Sequence, residues 1–205
     1  MSMELGRKRY PAPAELPLNA NDPRAPLWWG MIGLITIEAV FFISLIVSYF
    51  YLRFYAPEWP LGGISKPDLL LPSIAAVILF VSSAPMYWAD SSIKKGNVRN
   101  LKVGLALSFV LGAVFLALKA VEYSAYDYNW ATNAYGSITW TIAGFHSAHV
   151  ITVLLKVAVV FTAAARGYFS EDRNLGVRIN GLYWHFVVVV WVPLFFTLYL
   201  SHYVF

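Results

Sequence analysis

Cysteine does not occur in this 205-residue sequence. Its absence removes disulfides, thiolate metal ligands and thiol nucleophiles at once, so any chemistry rests on His, carboxylate or Lys side chains. Charge is scarce too: Asp, Glu, Lys and Arg supply 13% of the residues, against about a quarter in soluble domains. With four histidines in all, the chain lacks the ligand set of a membrane di-iron enzyme. It has no phosphate-binding loop, zincin pair or serine elbow, and no internal repeat of the kind that builds inverted-repeat transporters.

What remains is apolar. Hydrophobic residues make up 59% of the chain and the mean hydropathy is +0.60, more apolar surface than a soluble core of this size hides. A bilayer core about 30 Å thick needs about 20 largely apolar residues, and five stretches meet that need, over 27–52, 69–89, 103–123, 137–165 and 179–203. The expected fold class is therefore all-α: a polytopic membrane protein whose domain, 27–205, is a five-transmembrane-helix bundle. Residues 1–26 carry Arg7, Lys8 and Arg9 and then five prolines. They read as a polar, Pro-rich cytoplasmic arm rather than a cleavable signal, because the first apolar run starts too late and runs too long.

The net charge of +4 does not point to nucleic acid, since the positives lie in connectors between apolar runs. Eleven Lys and Arg fall on one side (Arg7, Lys8, Arg9, Arg24; Lys94, Lys95, Arg99, Lys102; Arg166, Arg173, Arg178), and Arg53 and Lys66 on the other. By the positive-inside rule the N-terminus is expected in the cytoplasm and the C-terminus, with His202, on the outer face. Trp28, Trp29, Trp59, Trp88, Trp130, Trp140 and Tyr203 suit the two interfaces. Gly30, Gly33, Gly104, Gly112 and Gly144 permit close helix contact or lipid insertion.

An ionisable side chain at mid-bilayer costs roughly 2.5–3.5 kcal/mol, so each calls for a partner or a purpose. Glu38, near the middle of the first apolar run, has two readings: a packing carboxyl held neutral by burial, or a protonatable group facing a cleft. Lys156 lies at comparable depth on the fourth run and is a possible ion-pair partner of Glu38, the alternative being snorkelling to the cytoplasmic interface. Lys119 and Glu122, three apart, share a helix face and neutralise each other, although Glu122 also has a histidine of the next helix within range. His146 and His149 share a face as well. With so few histidines, inter-helix hydrogen bonding is the better reading of this pair than metal binding, and no metal site is expected.

Several short motifs occur in order on successive runs. They are Trp29 to Phe42 with its Glu38; TyrTrpAla at 87–89; AlaValGluTyr at 120–123; TyrGlySer at 135–137; AlaGlyPheHisSerAlaHisVal at 143–150; and TyrTrpHisPheVal at 183–187, followed by Trp191. Together they resemble subunit III of the haem–copper terminal oxidases, the cytochrome c oxidase subunit III family, in a short five-helix form of a family whose longer members have seven. The resemblance implies a subunit with no catalytic centre of its own. It would pack on the catalytic haem–copper subunit I, with subunit II, in a prokaryotic cytoplasmic membrane. There it would support oxygen reduction and proton pumping through stabilisation, phospholipid binding and oxygen and proton access. Haem and copper are expected in the partner subunits and no cofactor in this chain. Glu38 becomes the family's buried carboxyl, Glu122, His146 and His149 (with Lys119) its polar inter-helix cluster, and Trp184 and His185 the last-helix motif.

The departures from that pattern are Val188 for a usual Asp, Lys119 for a common Gln, Asp90 and Ser91 where histidines are frequent, and Lys156. Two other readings are an accessory subunit of a nitric oxide reductase system and, from a different class, a small proton-coupled transporter centred on Glu38.

Overall fold

A computed structural model describes residues 26–204, so the arm expected over 1–26 lies outside the described residues apart from Pro26. That proline opens α1 (Pro26–Tyr55), at a position where a missing N–H costs nothing because first-turn amides have no intrahelical partner. Five passes are long and apolar enough to cross a membrane. After α1 comes a pass in two segments, α2 (Leu70–Val81) and α3 (Ser83–Ile93). Then follow α4 (Val98–Ser124), α5 (Ala134–Ala165) and α6 (Leu175–Phe195). The last continues through a π-turn (Phe196–Leu200) into α7 (Ser201–Val204). Among the described residues there is no strand, in keeping with the all-α expectation.

Each pass begins or ends beyond the expected bounds, and in α4 and α5 capping side chains carry the helix past its apolar run. Asn97 caps α4 by accepting from the Asn100 amide at 3.0 Å, and Asn133 caps α5 through the Gly136 amide at 2.9 Å. Gly96 and Gly167, at φ 70° and 74°, supply the left-handed residue that ends α3 and α5. The second pass, expected over 69–89, runs as two helical segments that meet at Ser82. Pro85 offers no N–H to the Val81 carbonyl, and the Ser82 hydroxyl turns back to Leu79 O at 2.5 Å, so the helix breaks at Ser82.

α6 is the axis of the bundle. Trp184, Val187, Trp191 and Leu194 are buried along it, with α5, α3 and α1 packed around. Two glycines on α4 permit close approach: a Cβ at Gly104 would meet Pro85 O at 2.6 Å, and one at Gly112 would meet the Trp184 ring at 2.9 Å. Gly30, Gly33 and Gly144 instead face open space. α1 buries only Phe42 and Tyr49 and leaves Ile37 70% and Phe54 82% exposed, an apolar face that water would disfavour and lipid or protein accepts. Its far end is tied to α7 by Arg53 donating to Ser201 Oγ at 2.8 Å and by Tyr49 Oη, 3.2 Å from the buried His202 Nε2. Below, the end of the bundle where α1, α4 and α6 begin is the N-side, and the end where α7 stops is the C-side.

Candidate functional site

The ionisable residues fall into two groups. On the C-side half, the i, i+3 spacing brings Lys119 Nζ to 2.7 Å from Glu122 Oε2, as the shared helix face predicts. The last pass then closes the group. Tyr199, carried on the π-turn, lies 2.5 Å from Lys119 Nζ and donates to Glu122 Oε1 at 2.5 Å. Tyr126 donates to the same oxygen at 2.6 Å. The ammonium also faces the rings of Tyr123 at 4.8 Å and Trp191 at 5.2 Å, so an almost fully buried lysine, 1% exposed, has both a counter-ion and π-faces around it.

Glu122 and Tyr126 also form part of the wall of a cavity of about 550 Å³ on the C-side, shared with Lys66, Asp68, Asp127 and Tyr128. Burial, reinforced by the charge of Glu122, pushes the Tyr126 phenol far above its ordinary range. Burial pushes Tyr128 up to about 12.

The second group sits in the seam of α1, α5 and α6. Tyr183 on α6 donates to Glu38 Oε1 at 3.1 Å, while Oε2, buried and without a hydrogen-bond partner, lies 3.7 Å from His149 Nε2. The other imidazole nitrogen, Nδ1, is 2.6 Å from Phe145 O. Lys156 is half-buried, with its ammonium 3.8 Å from the centroid of the Tyr183 ring. It makes no ion pair with a carboxylate among the described residues. The direct Glu38–Lys156 pair, one of the two readings of Lys156, is not formed: Tyr183 stands between the two, ring toward the lysine and hydroxyl toward the carboxylate.

The polar cluster expected of Glu122, His146, His149 and Lys119 is accordingly divided. Glu122 meets no histidine, because its oxygens are taken by Lys119, Tyr199 and Tyr126. His149 turns to Glu38. His146, 1% exposed, donates from Nε2 to Val187 O at 3.2 Å and lies against the Trp191 ring at 4.5 Å. The two imidazoles turn to different partners, and among the described residues no group of three or more His, Asp or Glu side chains is placed to hold a metal ion.

In the last-helix motif, Trp184 is a packing residue whose indole donates to Ser82 Oγ at 3.2 Å. His185 stands in the electrostatic reach of Asp90, which pairs with Lys94 at 2.6 Å and approaches Arg178 at 3.9 Å on the N-side. Sequence reasoning missed Tyr183, Tyr199 and Tyr126, the hydroxyls that join the charged residues. The one available signal was Tyr183 itself, which opens the TyrTrpHisPheVal motif.

A profile of the family described as cytochrome c oxidase subunit III matches residues 20–203, which takes in every described pass. The chain belongs to that family. Among its relatives, the cytochrome c oxidase subunit 3 of Thermostichus vulcanus is 33% identical over 172 residues, covering 83% of this chain and 85% of the relative. That of Synechocystis sp. is 32% identical over 173 residues, 84% and 74% of the two chains. That of Gallus gallus is 33% identical over 181 residues, 84% and 69%. Membership in the cytochrome c oxidase subunit III family makes the five passes those of a membrane-embedded oxidase subunit.

Proposed function

We propose that the chain works as the non-catalytic subunit III of a respiratory haem–copper oxidase. It packs on the catalytic subunit, together with subunit II, in a prokaryotic cytoplasmic membrane, with its N-side toward the cytoplasm. There it stabilises the complex, binds phospholipid and supports oxygen and proton access. The observation that carries the reading is the match to the cytochrome c oxidase subunit III family along the whole described bundle. The geometry supports it in three ways. The buried Lys119 and Glu122 pair with each other and with Tyr199 between α4 and the last pass, which fastens the bundle. α1 offers a long apolar face. A groove of about 250 Å³ between α4 and α5, lined by Leu105, Phe109, Val157 and Phe161, has the apolar lining that an acyl chain needs. The orientation is supported by the eleven Lys and Arg on N-side connectors and the arm.

Purification from membranes in a mild detergent, followed by a visible spectrum, tests the assignment. Haem bands travelling with a larger partner are expected; a colourless protein that is active alone would overturn it in favour of an autonomous transporter. Orientation is checked in the same preparation. The chain has no cysteine, so single cysteines placed at Lys95 and Lys66 are expected to react with an impermeant thiol reagent from the inner and outer faces respectively.

A further inference from the structure

We propose that the groove between α4 and α5 holds one acyl chain of a phospholipid from the N-side leaflet, and that Arg99, Lys102 and Arg166 select an anionic headgroup for it. The site rests on the phospholipid-binding part of the proposed function and gives it a place and a chemical class. Thr162 is the one polar side chain in the lining of the groove, and its hydroxyl donates to Val159 O at 2.8 Å. At about 250 Å³ the groove is smaller than the roughly 300–1,000 Å³ of sites that enclose a compact small molecule. Phe109 and Val110 in its wall are 38% and 57% exposed, so it is a furrow in the outer surface of the bundle and not an enclosed pocket. A single hydrocarbon chain laid along it leaves no polar group unmatched.

The two ends of the groove differ. On α4, Arg99, Lys102, Ala106 and Phe109 follow one another at the three- and four-residue steps of a single helix face. On α5, Arg166 comes four residues after Thr162, one turn beyond the groove. Both helices therefore carry cations out of the groove on the N-side. Toward the C-side the same faces continue with Ala113, Ala117, Leu155 and Ile151, which bear no charge. The matching ligand has a long apolar body and one negative end, held at the N-side interface. Arg99 and Arg166 are exposed and Lys102 is half-buried, and none of the three makes an ion pair among the described residues. Two acids of the same end are turned elsewhere, Asp90 to Lys94 at 2.6 Å and Glu171 toward Gly96. A phosphate diester whose headgroup is otherwise uncharged keeps its negative charge, whereas that of phosphatidylcholine is cancelled by its own ammonium. Each cation at the membrane surface favours the anionic lipid by a factor on the order of five.

The test uses the intact purified complex, reconstituted in phosphatidylcholine bilayers that contain a trace of a phospholipid with a photoreactive diazirine in its acyl chain. Phosphatidylglycerol and phosphatidylcholine carriers of the diazirine are compared, and the cross-linked peptides are mapped by mass spectrometry. Label is expected in 105–110 and 157–162, with the phosphatidylglycerol carrier ahead by about tenfold. In K102Q/R166Q that lead falls to about twofold or less, whereas K102R/R166K keeps it. The wild type supplies a second measurement that needs no variant: raising salt from about 0.05 M to about 0.5 M cuts the lead severalfold. A106W, which fills the groove, removes the label of both carriers. Equal labelling by the two carriers in the wild type overturns the site. So does a lead that survives K102Q/R166Q, or that survives salt where this variant does not assemble, or a haem-bearing complex with no label in the groove. That last result leaves the subunit assignment standing, whereas a colourless, autonomous protein that labels as stated keeps the site and removes the assignment.

Discussion

The bundle treats two of its lysines, the buried Lys119 and the half-buried Lys156, in opposite ways. Lys119 is enclosed: a carboxylate at 2.7 Å, a phenol at 2.5 Å and three aromatic rings account for its donors and its charge. Lys156 meets one ring at 3.8 Å and no carboxylate, and the acid nearest in charge, Glu38, keeps one oxygen unpartnered. Taking a charge out of water is tolerable when every donor and acceptor around it is matched, and such a group then behaves as a fastening. An unmatched group costs free energy instead of supplying a fastening. The C-side cluster is of the first kind and the α1–α5–α6 seam of the second.

The largest expected effect separates the two directly. K119M leaves the Glu122 carboxylate buried without its counter-ion and is expected to destabilise the bundle by about 3–5 kcal/mol, read as the unfolding midpoint of the detergent-solubilised complex. The double change K119M/E122M restores most of that loss, because a matched pair replaced by apolar side chains is often close to neutral. K156M is expected to cost under about 1 kcal/mol, as for a group with no bonded partner. A K156M protein as unstable as K119M would break the comparison.

A smaller effect sharpens it at the two tyrosines. Y199F removes both an acceptor for Lys119 and a donor to Glu122, bonds to charged groups worth about 1.5–3 kcal/mol. Y183F removes one bond in the open seam, where inter-helix hydrogen bonds average about 0.6 kcal/mol. The same unfolding measurement checks both, and equal losses would mean that the seam is as tightly closed as the C-side cluster.

How much of this could be read from the sequence follows from where each partner lies. Lys119 and Glu122 are three apart, so helical geometry alone joined them. The five passes were legible from apolar length, and their extra turns were not, because capping by Asn97 and Asn133 adds polar residues that a hydropathy reading excludes. The break at Ser82 comes from Pro85 and a serine hydroxyl inside an apolar run, and it left no mark in that run's hydrophobicity. The bridging hydroxyls were the furthest from view. Tyr183 lies 145 positions from Glu38, and Tyr199 lies 77 from Glu122, so only the packing of α6 and the π-turn places them. Depth matching offered Lys156 as a partner of Glu38, and no feature of the sequence shows that the Tyr183 ring would come between them.

The smallest effect concerns alkaline pH and is read at two phenols of the C-side. Tyr126 and Tyr128 lie in the connector after α4, in the wall of the cavity that opens beside Glu122, so solvent reaches their surroundings. Burial raises Tyr128 from its ordinary 10.0 to about 12, and Tyr126, beside the Glu122 carboxylate, further still. A phenol whose folded value lies above its unfolded one contributes stability that is whole below pH about 10 and shrinks as pH climbs toward the folded value, because the unfolded chain ionises first. The unfolding midpoint is therefore expected to hold steady up to about pH 10 and to decline above it. In Y126F the protein loses one donor to Glu122 at every pH, but its decline above pH about 10 is shallower, since the phenol with the larger upward shift is gone. Should the alkaline decline in Y126F follow the wild-type curve, the titrating groups lie elsewhere and the closed cluster is not what the cavity exposes.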